Sequence, residues 1–238
     1  MVWSHGDGPA SVPTPHEVHL WFATLDSLRH KADAFEASLD PVEIERADRF
    51  RFATDRERFV LGHGLLRSLI GRYLQRDGSL VRYARGPFGK PFLEGKDLRF
   101  SFSDTKDAVL VAFAHGAEIG ADIETMERTV DHGAVSEHYF TAEETSDIAS
   151  ATNGKRRFLE LWTRKEAVLK ASGVGIMDDL HVLRVNGSKQ EMAITHEAFI
   201  AHAAAEYHVR TWHVGSDHIV SLAGPGATDR LAFMRALT

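Results

Sequence analysis

The chain has 238 residues, 43% hydrophobic and 26% charged, the balance of a globular protein long enough to bury one full core or two smaller ones, which excludes disorder, collagen and coiled coil. Its 28 Lys and Arg against 34 Asp and Glu leave a net charge of −6, so no polycationic surface wraps nucleic acid and any anion site is local. Cysteine is absent, which excludes disulfides, thiolate metal sites and a Cys nucleophile and points to a reducing cytoplasm. Residues 1–10 lack the basic-then-apolar order of a secretory signal, and no apolar run approaches the roughly 20 residues of a membrane span.

Pro9, Pro13 and Pro15 among small polar residues read as a flexible lead-in over residues 1–16, before a strand-like run from Val18 to Ala23. Asp40-Pro41 is a helix start, and apolar positions from Phe50 to Ile70 carry a helical stretch to Leu74, with Gly62 and Gly64 expected to divide it in two. Turn residues fill Arg85 to Pro91. The apolar runs Leu98 to Ser103 and Ala108 to Ala114, parted by Asp104-Thr105-Lys106-Asp107, predict a hairpin. Glu118 to Glu124 alternates apolar and acidic, His132 to Tyr139 reads as helix, and Thr141-Ala142-Glu143-Glu144 fits a capping box. Arg156 to Ala171 is built of helix formers and stops at Ser172-Gly173. Strand-like segments follow at His181 to Val185, Tyr207 to Val214 and Ile219 to Ala223, before a break at Gly224-Pro225-Gly226.

The helix beginning Phe59-Val60-Leu61-Gly62 is answered a hundred residues on by Phe158-Leu159-Glu160-Leu161, each followed by strands. This rhythm predicts an α+β fold of two pseudo-symmetric halves, 1–117 and 118–238, each a small antiparallel sheet packed with helices. A seam between two such halves is a natural ligand cleft.

Two constellations carry chemistry. In Gly120-Ala121-Asp122-Ile123-Glu124 a strand puts Asp122 and Glu124 on one face. At a separation of about 6 Å and an effective dielectric near 20 their repulsion is on the order of 3 kcal/mol, tolerable if the patch is solvated or a cation sits between them. Taken alone, the fragment is more simply a half-buried strand with a wet polar face. In Trp162-Thr163-Arg164-Lys165-Glu166-Ala167-Val168-Leu169-Lys170, helical spacing stacks Trp162, Glu166 and Lys170 on one stripe. A surface Glu–Lys pair is the bland reading, and the neighbouring Trp162, Arg164 and Lys165 weigh against it. Three carboxylates without His or Cys at ligand spacing suit Mg²⁺ and, with lysines nearby, phosphoryl chemistry on a diphosphate.

Other features carry less. Glu45 to Arg58, with five arginines, reads as a solvated charged helix. Gly62-His63-Gly64 lacks the third glycine of a dinucleotide loop, the 14 histidines have no HExxH spacing, and Ser101, Ser103 and Ser221 lack the surroundings of a nucleophile elbow.

Taken in order, Gly89-Lys90-Pro91, Phe100-Ser101-Phe102-Ser103, the GxDxE segment at Gly120, Phe140 to Glu144 and the WxxKExxxK segment at Trp162 resemble the surfactin-type 4′-phosphopantetheinyl transferases, from about Val18 to about Gly175. The resemblance implies a monomer with coenzyme A in the cleft, whose phosphopantetheine goes to the serine of an apo acyl, peptidyl or polyketide carrier protein while adenosine 3′,5′-bisphosphate leaves. Charge balance and the lack of a long apolar run lead to the expectation of no nucleic acid and no membrane as partner. By matching positions, Asp122, Glu124 and Glu166 hold Mg²⁺ (or Mn²⁺), with Glu166 as base for the serine. Lys165 and Lys170 stabilise the diphosphate, Lys90 lies along the adenine nucleotide, and Arg46 and Ser103 meet the 3′-phosphate.

The family has His after that serine, and here stands Asp104, which repels a phosphate unless Lys106 or an arginine of the basic helix compensates. That departure motivates an alternative, a non-catalytic module that binds CoA or a carrier; a third reading is a Mg²⁺-dependent diphosphate hydrolase. A basic strip of Arg156, Arg157, Arg164 and Lys165 is the expected docking surface for an acidic carrier.

Overall fold

The computed structural model describes residues 4–5, 11–175, 180–187, 191–193, 204, 206–226, 228 and 230–236. In chain order the elements are β1 (Ser4–His5), β2 (Glu17–Thr24), α1 (Leu25–Leu28), α2 (Ala32–Ser38), α3 (Pro41–Asp48), α4 (Ala53–Tyr73), β3 (Ala84–Arg85), β4 (Pro91–Phe92), β5 (Leu98–Asp104) and β6 (Ala108–His115). They continue with β7 (Gly120–Thr125), α5 (His132–Tyr139), α6 (Ala142–Ser150), α7 (Gly154–Ser172), β8 (Glu191–Ala193), β9 (Glu206–Val214), β10 (His218–Gly224) and β11 (Arg230–Arg235).

Two sheets pack face to face, one ordered β1-β11-β2-β6-β5 and the other β7-β10-β9-β8. Period-two alternation explains why both faces of the central strands are apolar. In β2 and β6, Trp21, Ala23, Val109, Val111 and Phe113 face the helices α2 and α4, while Val18, Leu20, Phe22, Leu110 and Ala112 face the second sheet. That middle layer is completed by Ala121, Ile123, Val220 and Leu222. The outer face of the second sheet is covered by α5, α6 and α7, through Phe158, Leu161, Val168 and Ile219. The result is the expected α+β arrangement, helices outside and two sheets within.

Each half holds its long helix by the same device. In α3 the cap Asp40 and Glu43 form a capping box, and Glu43 pairs with Arg67 of α4; in α6 Thr141 and Glu144 form another, and Glu144 pairs with Lys165 of α7. Both capping glutamates are buried.

The predicted hairpin 98–114, the capping box at Thr141, the strands at Tyr207 and Ile219 and the stop at Gly173, with φ 73°, all appear. Four expectations differ. The helical stretch from Pro41 breaks at 49–52, where Phe50 turns in to meet Phe59 at 5.5 Å, and runs unbroken through Gly62 and Gly64. Those glycines serve packing: a Cβ on Gly64 would sit 2.2 Å from Phe35 Cβ, and one on Gly62 would sit 3.0 Å from Phe102 Cζ. Residues 180–182 form a 3₁₀ turn rather than the start of a strand at His181. Within the 1–16 lead-in, Ser4–His5 form a short strand parallel to β11; 1–3 and 6–10 lie outside the described residues. Finally, β11 pairs parallel to β2, so the first sheet is mixed and the C-terminal strand belongs to it.

Gly64→Ala forces backbone or the Phe35 ring to move and is expected to destabilise the protein by about 1–3 kcal/mol, lowering Tm by roughly 2–4 °C per kcal/mol for a chain of this size. Gly86→Ala, whose Cβ meets nothing closer than Lys90 O at 3.7 Å, is the control in the same thermal melt; equal losses would contradict the packing role.

Candidate functional site

Ser101 and Ser103 alternate with Phe100 and Phe102 along β5, so the phenylalanines face α4 and the serines face β7. The Ala121 N–H donates to Ser101 Oγ at 2.9 Å, and Ser103 Oγ donates to Asp122 Oδ1 at 2.6 Å. These side chains stitch two strands that belong to different sheets.

On its other side β7 lies against α7. A Cβ on Gly120 would fall 1.9 Å from Ala167 O and 2.3 Å from Ala171 N, an approach only glycine allows. It brings Lys170 Nζ to 2.6 Å from Asp122 Oδ1 and 2.8 Å from Ser103 Oγ. Farther along, Glu124 pairs with Arg128, whose guanidinium lies 5.2 Å from the Trp162 ring centroid.

Burial pushes Glu166 up to about 7, Asp122's negative charge adding to the effect against Lys170 and Arg128. Burial likewise pushes Glu124 up to about 7, with Arg128 opposing and Asp122 reinforcing. Asp122 thus presses on both glutamates, a repulsion that a divalent cation relieves, and all three offer the hard oxygens Mg²⁺ takes. The donor chemistry fits such an ion. Among the described residues no three His, Asp or Glu side chains converge as a ligand set, because Asp122 and Glu124 are turned to Lys170 and Arg128.

Glu166 and Lys170 open onto a cleft of about 560 Å³ between α7 on one side and α4, β5 and the β3–β4 turn on the other. Arg46, Arg58, His63, Arg85 and Lys90 also line it, a local cationic wall in a chain of net charge −6. Asp104 stands in this wall. Its charge is met by Arg58 Nε at 3.0 Å, whereas Lys106 turns away to Glu127. Burial raises the Asp104 pKa, and Arg58 opposes that rise without cancelling it. An arginine of the basic stretch therefore compensates, and Arg46 and Arg58 leave its solvated face for the cleft.

The sequence-predicted residues divide into those gathered here and those held elsewhere. Asp122, Glu124, Glu166, Lys170 and Ser103 form one cluster, and Arg46 lies on the opposite wall. Lys90 lines the cleft, but its ammonium ties the turn to Glu118 at 2.6 Å, Ile119 O at 3.2 Å and Ala171 O at 3.4 Å.

Lys165 does not belong to the cluster. It is fully buried and bound to Glu144 at 2.9 Å, Leu180 O at 2.9 Å and Leu183 O. One residue before Glu166, it is rotated by about 100° around the helix and faces the core. Of the two lysines, only Lys170 reaches Asp122 and the cleft. The docking strip changes for the same reason: Lys165 is inside, Arg164 is largely buried with Nε unpartnered, and Arg157 is tied to Asp147 and Glu160.

Arg58, Phe59 and His63 are cleft residues that charge counting over Glu45 to Arg58 overlooks. Their one-turn spacing on a helix beside a glycine-rich segment is the signal that marks them.

Lys165→Met leaves Glu144 buried and uncompensated and is expected to cost about 3–5 kcal/mol in urea unfolding, with part regained in Lys165→Met/Glu144→Gln. An unfolding curve unchanged from wild type would return Lys165 to the cleft.

The family model described as ACPS, 4′-phosphopantetheinyl transferase superfamily, matches residues 118–223, a span that contains all three acids and Lys170. The chain is 34% identical over 166 residues to the 4′-phosphopantetheinyl transferase HetI of Nostoc sp. strain PCC 7120, covering 67% of this chain and 70% of that one. It is 32% identical over 184 residues to a phosphopantetheinyl transferase of Thraustochytrium sp., covering 68% and 63%. Against the 4′-phosphopantetheinyl transferase Sfp of Bacillus subtilis strain 168 the identity is 30% over 148 residues, covering 60% and 64%. A sequence shared at 34% identity across two thirds of both chains establishes that this chain belongs to the 4′-phosphopantetheinyl transferase superfamily.

Proposed function

We propose that the protein transfers the 4′-phosphopantetheine group of coenzyme A to the serine of an apo acyl, peptidyl or polyketide carrier protein, with Mg²⁺ bound, and releases adenosine 3′,5′-bisphosphate. The observation that supports this best is the junction of an acid cluster with a cationic cleft through two residues one helical turn apart, Glu166 and Lys170. A cleft of about 560 Å³ lies within the range of small-molecule sites.

Asp122, Glu124 and Glu166 would hold Mg²⁺, which when bound withdraws charge from the diphosphate. Lys170, fixed between Ser103 and Asp122, donates to a diphosphate oxygen and neutralises charge that builds in the transition state. The serine oxygen forms a bond to the phosphorus bearing pantetheine while the P–O bond toward the adenosine moiety breaks. The serine proton passes to the Glu166 carboxylate, and the bisphosphate leaves with the electron pair. Arg46 and the basic wall bind the nucleotide end, and Ser103 orients Asp122 and Lys170 from the buried side. Residues 1–117 contribute most of the nucleotide wall and 118–238 the acids, so one chain supplies every group and a monomer suffices.

The pairing of Asp104 with Arg58 removes the motive for a purely binding module, since the acid no longer presents an uncompensated charge to a phosphate.

Mass spectrometry of an apo carrier incubated with CoA and Mg²⁺ is expected to show the gain of one phosphopantetheine, abolished by Glu166→Gln and reduced at least 100-fold by Lys170→Ala, the size of effect of a transition-state donor. A panel of acyl, peptidyl and polyketide carriers left unmodified by wild type would defeat the reading. Release of phosphopantetheine from CoA without any carrier would replace it by hydrolysis. Mg²⁺ should also raise Tm of the wild type by binding the folded state, and not that of Asp122→Asn/Glu124→Gln.

A further inference from the structure

Four of the charges that line the cleft offset one another. Arg46 and Arg58 are opposed by Asp55 and Asp104, all four in its wall, and Arg58 reaches both acids, at 3.3 Å and 3.0 Å. These two cations and two carboxylates offset one another, Arg85, Lys90, Lys170 and Glu166 line the same cleft, and His63 adds an imidazole beside them.

His63 is built into its place. Its side chain is 19% exposed, its ring stacks on Phe59 at 4.0 Å and 26°, and Phe102 closes in at 5.2 Å. The Arg46 guanidinium lies 5.1 Å from the same Phe59 ring, so Phe59 carries both groups. His63 Nδ1 lies 3.0 Å from Glu43 Oε1. Burial alone would raise the Glu43 pKa, and hydrogen bonds from His63, the Asp40 N–H and Arg67 outweigh it, so it is lowered. An ionised carboxylate only accepts, so Nδ1 carries the proton and Nε2 is the nitrogen left for the cleft. Behind Glu43, Arg67 is fully buried between Asp40 and Glu43, one cation for two carboxylates, and the surplus negative charge faces His63.

We infer that His63 is the residue that confers selectivity for a phosphorylated ribose. With Nδ1–H held on Glu43, it presents Nε2 to the cleft, where a phosphate monoester oxygen shares a proton with it, and it adds this contact to the arginines of the wall. The imidazole comes from α4, on the same wall as the family's histidine position, which Asp104 of β5 occupies here. Asp104 and Glu43 act as positioning residues, the first for Arg58 and the second for His63. The inference rests on coenzyme A being the ligand, which carries one phosphate on its ribose besides the diphosphate.

The test uses the full chain as wild type, His63→Ala and His63→Lys. Calorimetry compares adenosine 3′,5′-bisphosphate with adenosine 5′-monophosphate, and mass spectrometry compares CoA with 3′-dephospho-CoA as donor to an apo carrier. Wild type is expected to bind the bisphosphate at least tenfold more tightly than the monophosphate. His63→Ala should bring that ratio within threefold, and His63→Lys should restore most of it. The CoA to dephospho-CoA ratio of kcat/KM should fall by a similar factor, through KM. A wild type that does not discriminate, or an alanine variant that weakens both nucleotides equally, overturns the inference. If His63→Ala melts at assay temperature, His63→Gln is read by the same ratios. A protein that discriminates the nucleotides through His63 but modifies no carrier defeats the transferase reading alone; one that modifies carrier and keeps its preference for CoA in His63→Ala defeats this inference alone.

Discussion

The backbone contact between Gly120 and α7 is the constraint from which the site follows. With no side chain at that point, strand and helix run directly against each other. Gly120 therefore meets Ala167 and Ala171, Asp122 meets Lys170, and Glu124 reaches the Arg128 that covers Trp162. Any Cβ at Gly120 would lever the strand outward and part Asp122 from Lys170.

Burial of charge holds this geometry rigid on both sides of the cleft. Arg67 in the first half and Lys165 in the second are each fully buried and each paired with the glutamate of a capping box. Such pairs contribute little net stability against an apolar replacement but exact a large cost when one partner is lost. They lock the register of the long helices that carry Arg58 and His63 on one wall and Glu166 and Lys170 on the other. In the first half the same glutamate also orients His63, so the structural ion pair and the binding wall are one network.

The overall acidity of the chain is reconciled with a cationic cleft by distribution. Many surface arginines are matched by nearby acids, as Arg56 is by Glu36 and Asp48 and Arg29 is by Glu57. The cleft concentrates cations on its wall, where reduced access to solvent makes each charge count for more than at the open surface.

Much of this was legible in the residues alone. Alternation in β5, β6 and β7, the Asp40-Pro41 start, the capping box at Thr141 and the stop at Gly173 are local signals, because they arise from pleat, cap and dihedral preferences within a few residues. The shared face of Asp122 and Glu124 and the stripe of Glu166 and Lys170 follow from the same periodicities. What only the tertiary structure decided depends on partners far away in sequence. Gly62 and Gly64 are packing contacts for Phe102 and Phe35 instead of a break, Lys165 is taken inward by Glu144, Asp104 is neutralised by Arg58, His63 is turned to the cleft by Glu43, and β11 returns to the first sheet. Composition and spacing record which groups exist and which face they share, and long-range packing alone determines what stands opposite that face.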